Sequence, residues 1–255
     1  MKTESTRDEL VITRERDGQV VVFRFNRPYD QNRSDYRMKE MLADAYEELQ
    51  LDEKARVLIL TGTGDYYATG GRVNASDEEE RIRFEIAHER VLRAQQAVSI
   101  PVVLAINGDI LGGAVGDMLT ADYAVAVQGI KFGFPQSTRG SFPISSLAIA
   151  MDYLPQKFAL EAFYTGKTYP IEKAEQLGLL NKVVPKQMLW EEVNAFIDVI
   201  LSRKKEIISI GRKAYFTIRT AAELDRGSIA NQFVTLLLQE EAKQKMLANK
   251  KEESL

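Results

Sequence analysis

The chain has 255 residues, with 34 lysines and arginines against 37 aspartates and glutamates and a net charge of −3, enough length for one main domain with an appendage. No basic block carries interleaved aromatics, which argues against a nucleic-acid partner and for a small-molecule substrate. The absence of cysteine excludes disulfides, thiolate nucleophiles and cysteine-ligated zinc, and the single His88 excludes a two-histidine metal site, so no metal is expected.

Met1 to Glu9 has no apolar leader and no later stretch is long and apolar enough for a bilayer, so a cytoplasmic protein without membrane association is expected. Leu10 to Arg14 and Val20 to Phe25 read as strands of a hairpin turning at Asp17-Gly18. Ser34 is a candidate cap for a helix whose apolar positions are Met38, Leu42, Ala45 and Leu49. A strand from Arg56 to Leu60 runs into glycine turns at Gly62/Gly64 and Gly70/Gly71. From Ser76 to Val98, Phe84, Ala87, Val91, Ala94 and Val98 form a helical stripe. The acidic run Asp77 to Glu80 at its start suits the helix dipole and is read as a solvated first turn.

Val102 to Ile106 is continuously apolar, as in a strand covered on both faces. It leads through Asn107-Gly108 to Gly112-Gly113, where bare backbone amides would open a helix and stabilise an anion. Tyr123 to Val127 is another strand, and Lys131 to Pro135 enters a loop containing Gly140 and Pro143. Pro155 and Pro170 begin helices ending at Gly166 and Gly178, and Val184-Pro185 leads into a longer helical region. Beyond about Ser202 only helices are expected, closing in a frayed tail from Gln244 to Leu255. Strands alternating with helices indicate an α/β layered domain.

The ordered set Asn26-Arg27-Pro28, Leu60-Thr61-Gly62, Tyr67-Ala68-Thr69-Gly70-Gly71, Asn107 to Gly113, Tyr164-Thr165-Gly166, Leu177-Gly178-Leu179 and Val183-Val184-Pro185 resembles the crotonase (enoyl-CoA hydratase/isomerase) superfamily over nearly the whole chain. The resemblance implies an α/β fold: a crotonase-type spiral of ββα units over residues 1–195, and a C-terminal helical oligomerisation region over 196–255 that makes trimers or hexamers. It implies an acyl thioester of coenzyme A, or of a phosphopantetheine on an acyl carrier protein, as substrate, with no permanently bound cofactor. By the same resemblance the amides of Gly71 and Gly113 form the oxyanion hole, and Arg27, Ala68, Thr69 and Gly70 lie near the coenzyme.

Hydratases of the family add two glutamates, and at those positions this chain has Gly116 and Gln136, which do not titrate. Both are retained as substrate-binding positions, as is Arg72, which follows the first oxyanion donor where an acidic residue is common and would suit a phosphate or carboxylate. The remaining proton carriers are His88 and Glu89, near where aryl-CoA dehalogenases of the family place a histidine, and Tyr66; Tyr67 is expected to be core. Asp117 is one residue past Gly116, about 100° round a helix, and is expected to face elsewhere. The first turn is similar to that of polyketide β-branching decarboxylases, although their C-terminal histidine has no counterpart. The reading is enolate chemistry by isomerisation or decarboxylation. A thioester or β-diketone hydrolase, and a non-catalytic acyl-thioester binder, stand as alternatives.

Overall fold

The computed structural model describes residues 9–73, 77–222 and 225–252. Strands β1 (Leu10–Glu15) and β2 (Val20–Phe25) form the expected hairpin, and the chain turns between them through left-handed Arg16, Asp17 and Gly18. Helix α1 (Tyr36–Gln50) follows, and its cap is Asp35, whose side chain accepts from the Met38 amide. Ser34 is engaged instead in a backbone bridge to Gly71, which is why it does not cap.

Three successive units then each place one strand in a larger sheet and one in a smaller. They are β3 (Val57–Gly62) with β4 (Tyr66–Ala68), β5 (Val102–Ile106) with β6 (Asp109–Leu111), and β7 (Tyr123–Val127) with β8 (Lys131–Gly133). Helix α2 (Glu78–Gln96) follows the first pair and α3 (Val115–Thr120) the second. The larger sheet has the order β1-β2-β3-β5-β7-β10 and the smaller β4-β6-β8-β9, where β9 is Thr168–Pro170 and β10 is Lys182–Val184. Within the three units, neighbouring strands of each sheet are parallel.

The step between sheets needs close backbone approach. A Cβ on Gly108 would stand 2.0 Å from the Asp65 carbonyl oxygen, so only glycine lets the β5–β6 turn lie against the β3–β4 turn. Asn107 pins the two turns, its Oδ1 accepting from the Gly62 amide at 2.9 Å and its Nδ2 donating to the Gly64 carbonyl at 2.9 Å.

Both faces of the larger sheet are covered, as its continuous apolar strands require. Val21, Phe23, Leu58, Leu60, Leu104 and Ile106 face the helices α1 to α3 and the smaller sheet. Their alternates Val20, Val22, Val57, Ile59, Val103 and Val125 pack under α7 (Leu189–Leu201) through Val193 and Ile197. Helix α7 therefore crosses the 195/196 boundary expected from the sequence, and the appendage starts beyond it. It consists of α8 (Lys205–Thr220), with no buried residue, and α9 (Arg226–Glu252), which exposes Leu236, Leu238 and Met246. The expected frayed tail is helical through Glu252, and residues 253–255 lie outside the described residues, as do Ser76 and Met1 to Asp8.

Helices α4 (Ile144–Ala150), α5 (Gln156–Thr165) and α6 (Ile171–Gln176) close the second sheet's side. Helix α2 is capped by Asp77, whose Oδ1 accepts from the Glu80 amide at 3.0 Å. Asp77→Ala is expected to lower the folding free energy by about 1 kcal/mol, read by denaturant titration. An unchanged midpoint would mean that the cap carries no stability.

Candidate functional site

The first glycine turn is held from one side. Ser34 donates its amide to the Gly70 carbonyl at 3.0 Å, and Arg72 donates to the Ser34 carbonyl at 2.8 Å. Because backbone groups alternate along an extended segment, the Gly71 amide is turned to the opposite side. Gly70 has φ +100°, and a Cβ there would lie 3.6 Å from the Leu111 carbonyl oxygen and 3.9 Å from the Gly113 amide nitrogen. The second turn reciprocates: Gly112 has φ +62°, and a Cβ on it would meet the Gly70 Cα at 3.5 Å. Both positions favour glycine through their left-handed conformation, and the two turns lie within van der Waals reach of each other.

Gly112 to Ala114 form a single 3-10 turn continuous with α3, preceded by Leu111, which offers no capping side chain. The Gly113 amide thus belongs to a helix start whose N–H groups have no side-chain acceptor at the cap. Gly113 is exposed, and nothing lies within 4 Å of where its Cβ would be. Two amides, from Gly71 and Gly113, therefore flank one opening.

Side chains of four elements, and Gln136 from the turn that follows β8, surround that opening. Phe84 of α2 covers Gly71, its Cζ 2.9 Å from a Cβ placed there, and His88 stacks on Phe84 one turn further at 6.0 Å between ring centroids. The Gln136 amide rests over Gly112, its Nε2 3.2 Å from a Cβ at that position, and its Oε1 is buried without a partner. Below lie Lys39 and Tyr46 of α1, Tyr67 of β4 and Asp117 of α3. The Tyr67 hydroxyl donates to Asp117 Oδ2 at 3.1 Å. Lys39, His88 and Asp117 sit deep in the protein mass yet keep partial exposure, as groups lining a crevice do, whereas Tyr46 and Tyr67 are sealed.

Depth sets the electrostatics of this cluster. Burial raises the Asp117 carboxyl to about 6, against the opposing pull of Lys39 and the Tyr67 hydrogen bond. Burial lowers His88 to about 4, with Lys39 pushing the same way, so its imidazole is neutral, and its Nδ1 is buried without a partner. Lys39 is pulled down by burial and partly restored by Asp117. The Tyr46 and Tyr67 hydroxyls are driven well above their usual range by burial and by the Asp117 charge.

Of the residues singled out in the sequence, Gly70, Gly71, Gly113, Gln136 and His88 come together here. Others do not. Gly116 is turned toward α4, where a Cβ would meet Ile149 Cδ1 at 3.3 Å. Glu89 is on the exposed face of α2 and binds Arg93 at 3.1 Å, since one residue after His88 is a different helix face. Tyr66 alternates with Tyr67 across β4, so the tyrosine that meets an ionisable partner is Tyr67, not Tyr66. Arg72 pairs with Asp30 at 3.3 Å, its side chain more than half exposed. Arg27 is buried among Asp35 at 2.8 Å, Glu9 at 3.4 Å and Asp30 at 3.7 Å, an internal ion cluster. Ala68 is buried, and the Thr69 hydroxyl donates to the Gln31 carbonyl at 3.2 Å.

Asp117 is the residue that sequence reasoning set aside. Counting one residue from Gly116 turned it away, but counting four from Gly113 returns it to that glycine's face of the helix. Lys39 carried a similar signal, seven residues before Tyr46 on one face of α1, which the dominant apolar stripe obscured. Among the described residues no three His, Cys, Asp or Glu side chains converge as a metal site requires.

Two sheets, parallel apart from their β1–β2 and β8–β9 pairs and stepped by glycine turns, with two amides at the apposed turns, define the crotonase class of α/β spiral. Comparison with known proteins agrees: the family model described as enoyl-CoA hydratase/isomerase matches residues 15–252. The chain belongs to the enoyl-CoA hydratase/isomerase family. It is 28% identical to a crotonyl-CoA hydratase of Syntrophomonas wolfei over 78% of this chain and 79% of that one. It is 29% identical to a hydroxycinnamoyl-CoA hydratase-lyase of Pseudomonas fluorescens over 75% and 72%. The crystal structure of an enoyl-CoA hydratase of Mycobacterium smegmatis superposes with a TM-score of 0.85 over 90% of this chain and 91% of that one, at 21% identity, and shares its fold.

Proposed function

We propose that the protein is an acyl-thioester enzyme, acting on coenzyme A or carrier-protein thioesters, whose Gly71 and Gly113 amides hold the thioester oxygen while an enolate forms. The reaction is isomerisation or decarboxylation rather than hydration of a double bond. The observation that carries this reading is the apposition of the two glycine turns, Gly70 against Gly112, which supports a site where the neighbouring Gly71 and Gly113 amides meet developing negative charge. Hydration needs a positioned water and two proton transfers, and the positions that serve it in hydratases are occupied by Gly116, packed on Ile149, and by Gln136. The names of the relatives include hydratases and a hydratase-lyase, which supports thioester chemistry and leaves the reaction to be decided by this chain's own side chains.

Among substrates, the half-buried crevice below the opening suits the acyl part, and Phe84 and Gln136 give it one apolar wall and one amide. The chain acts in this reading as a homotrimer or hexamer through the exposed apolar residues of α9, and in the cytoplasm. The deciding experiment incubates the protein with enoyl-, β,γ-enoyl-, 3-methylglutaconyl- and β-ketoacyl-CoA and follows products by mass spectrometry. Loss of CO₂ or double-bond migration supports the reading. Efficient formation of a 3-hydroxyacyl product would overturn the exclusion of hydration, and tight thioester binding without any turnover would leave a binding protein.

A further inference from the structure

We propose that Asp117 is the acid–base group of this site, carrying one proton between the α- and γ-carbons of a β,γ-unsaturated acyl thioester, with Tyr67 as its positioning residue and Lys39 as its facing cation. The proposal rests on the thioester reading above and narrows it to isomerisation.

The placement is set by three elements. Asp117 is four residues after Gly113 on the same short helix, so its side chain lies on the face of the oxyanion amide and leans back toward it. That face opens on space at Gly113. Tyr67 is four residues before Gly71, at the base of the other turn, and its hydroxyl fixes one carboxylate oxygen of Asp117. One hydroxyl therefore ties the carboxylate to the strand that presents the other oxyanion amide. From α1, Lys39 acts on Asp117 by Coulomb attraction alone, with no hydrogen bond between them. Two opposite charges facing one crevice without closing into a pair leave the second carboxylate oxygen available to a substrate.

The other groups around Asp117 do not compete. Tyr46 of α1 is sealed and held protonated, and α4 contributes the apolar Ile149 and the buried Ser146. His88 of α2 is a weak base, because its imidazole is neutral down to about pH 4. Asp117, at about 6, lies nearer to neutrality than His88, where a group can both take and return a proton.

The step balances with no further reactant. The carboxylate takes the proton from the α-carbon, the C–H electron pair becomes the C1–C2 double bond of a dienolate that keeps its C3–C4 double bond, and the carbonyl π pair moves onto the thioester oxygen at the Gly71 and Gly113 amides. When that charge returns to the carbonyl, the C1–C2 π pair becomes the C2–C3 double bond and the C3–C4 π pair binds the γ-carbon to the proton now on Asp117. The C2–C3 double bond remains, conjugated with the thioester, and the carboxylate is regenerated. One carboxylate suffices because the same group is base and then acid. Hydration has no such economy.

The test follows conversion of 3-hexenoyl-CoA to its conjugated isomer by absorbance, together with α-hydrogen exchange in D₂O. Asp117→Asn, which keeps an acceptor for Tyr67, is expected to lower kcat/KM by about 10²–10⁴-fold and to remove exchange. In the wild type kcat/KM should rise with pH through about 6 and then level. Tyr67→Phe removes a bond that holds the carboxyl down, so its midpoint should move to higher pH, which a purely structural tyrosine would not do. An Asp117→Asn enzyme within tenfold of wild type, or a Tyr67→Phe profile with an unmoved midpoint, overturns the assignment while leaving thioester chemistry intact. A wild-type protein that neither isomerises nor exchanges any acyl-CoA α-hydrogen overturns the thioester reading itself.

Discussion

Gly113→Pro is expected to lower kcat/KM on an acyl-CoA substrate by about 10²–10³-fold, the usual cost of one oxyanion donor, while the protein remains folded. Proline removes a single N–H, and in the first turn of a helix that group has no intrahelical acceptor to lose. The ring enters open space, because nothing stands within 4 Å of the Gly113 Cβ direction. The preceding Gly112 lacks the Cβ that most restricts a residue before proline. Gly113→Ala supplies the control: it keeps the amide, and its methyl enters the same space, so it should retain far more activity than the proline variant. Thermal melts by circular dichroism together with steady-state kinetics check both. If Gly113→Pro were folded and as active as wild type, the second turn would have no part in stabilising charge.

The reasons this site was only half legible in the sequence are local. The turns themselves were readable, because Gly70-Gly71 and Gly112-Gly113 are each preceded by a strand and the second opens a helix, and glycine at left-handed positions has a physical cause. The layered sheets were readable from Val102 to Ile106 and its neighbours, whose two faces are both covered. Strands β9 and β10 and helix α4 were not, since runs of three to seven residues carry too few periods to separate strand, helix and loop. The floor of the crevice was hidden for a different reason. Lys39, Tyr67 and Asp117 are meaningful only together, and they come from α1, β4 and α3, which no sequence window joins. Glu89 and Arg72 show the converse: each had the right chemistry, and each is claimed by a neighbour, Arg93 and Asp30, that sequence spacing alone does not rank above a substrate.

Substituting His88 and Asp117 should tilt the dependence of stability on pH in opposite directions. His88 is depressed from 6.5 to about 4, so its contribution is present above pH 6.5 and is lost as pH falls toward 4. Asp117 is raised from 3.8 to about 6, so its contribution is present below pH 4 and is lost as pH rises through 6. At 1.4 kcal/mol per pH unit each is worth at most about 3 kcal/mol, reduced by the solvent that reaches the crevice. In the wild type the two slopes nearly offset between pH 4 and 7. Relative to wild type, Asp117→Asn should therefore be stabilised at pH 7 and lose that advantage at pH 4, while His88→Phe should gain relative stability on acidification. Urea titrations at pH 4.5 and 7.5 measure both, and slopes of the same sign in the two variants would show that the groups do not share one low-dielectric crevice. Lys39→Met separates the coupling from simple burial. The cation holds both Asp117 and His88 down, so its removal should raise both midpoints, easing the acid loss from His88 while deepening the neutral-pH cost of Asp117. A carboxylate kept at that cost beneath two apposed glycine turns is the pattern expected where a fold gives up stability to hold a reactive group.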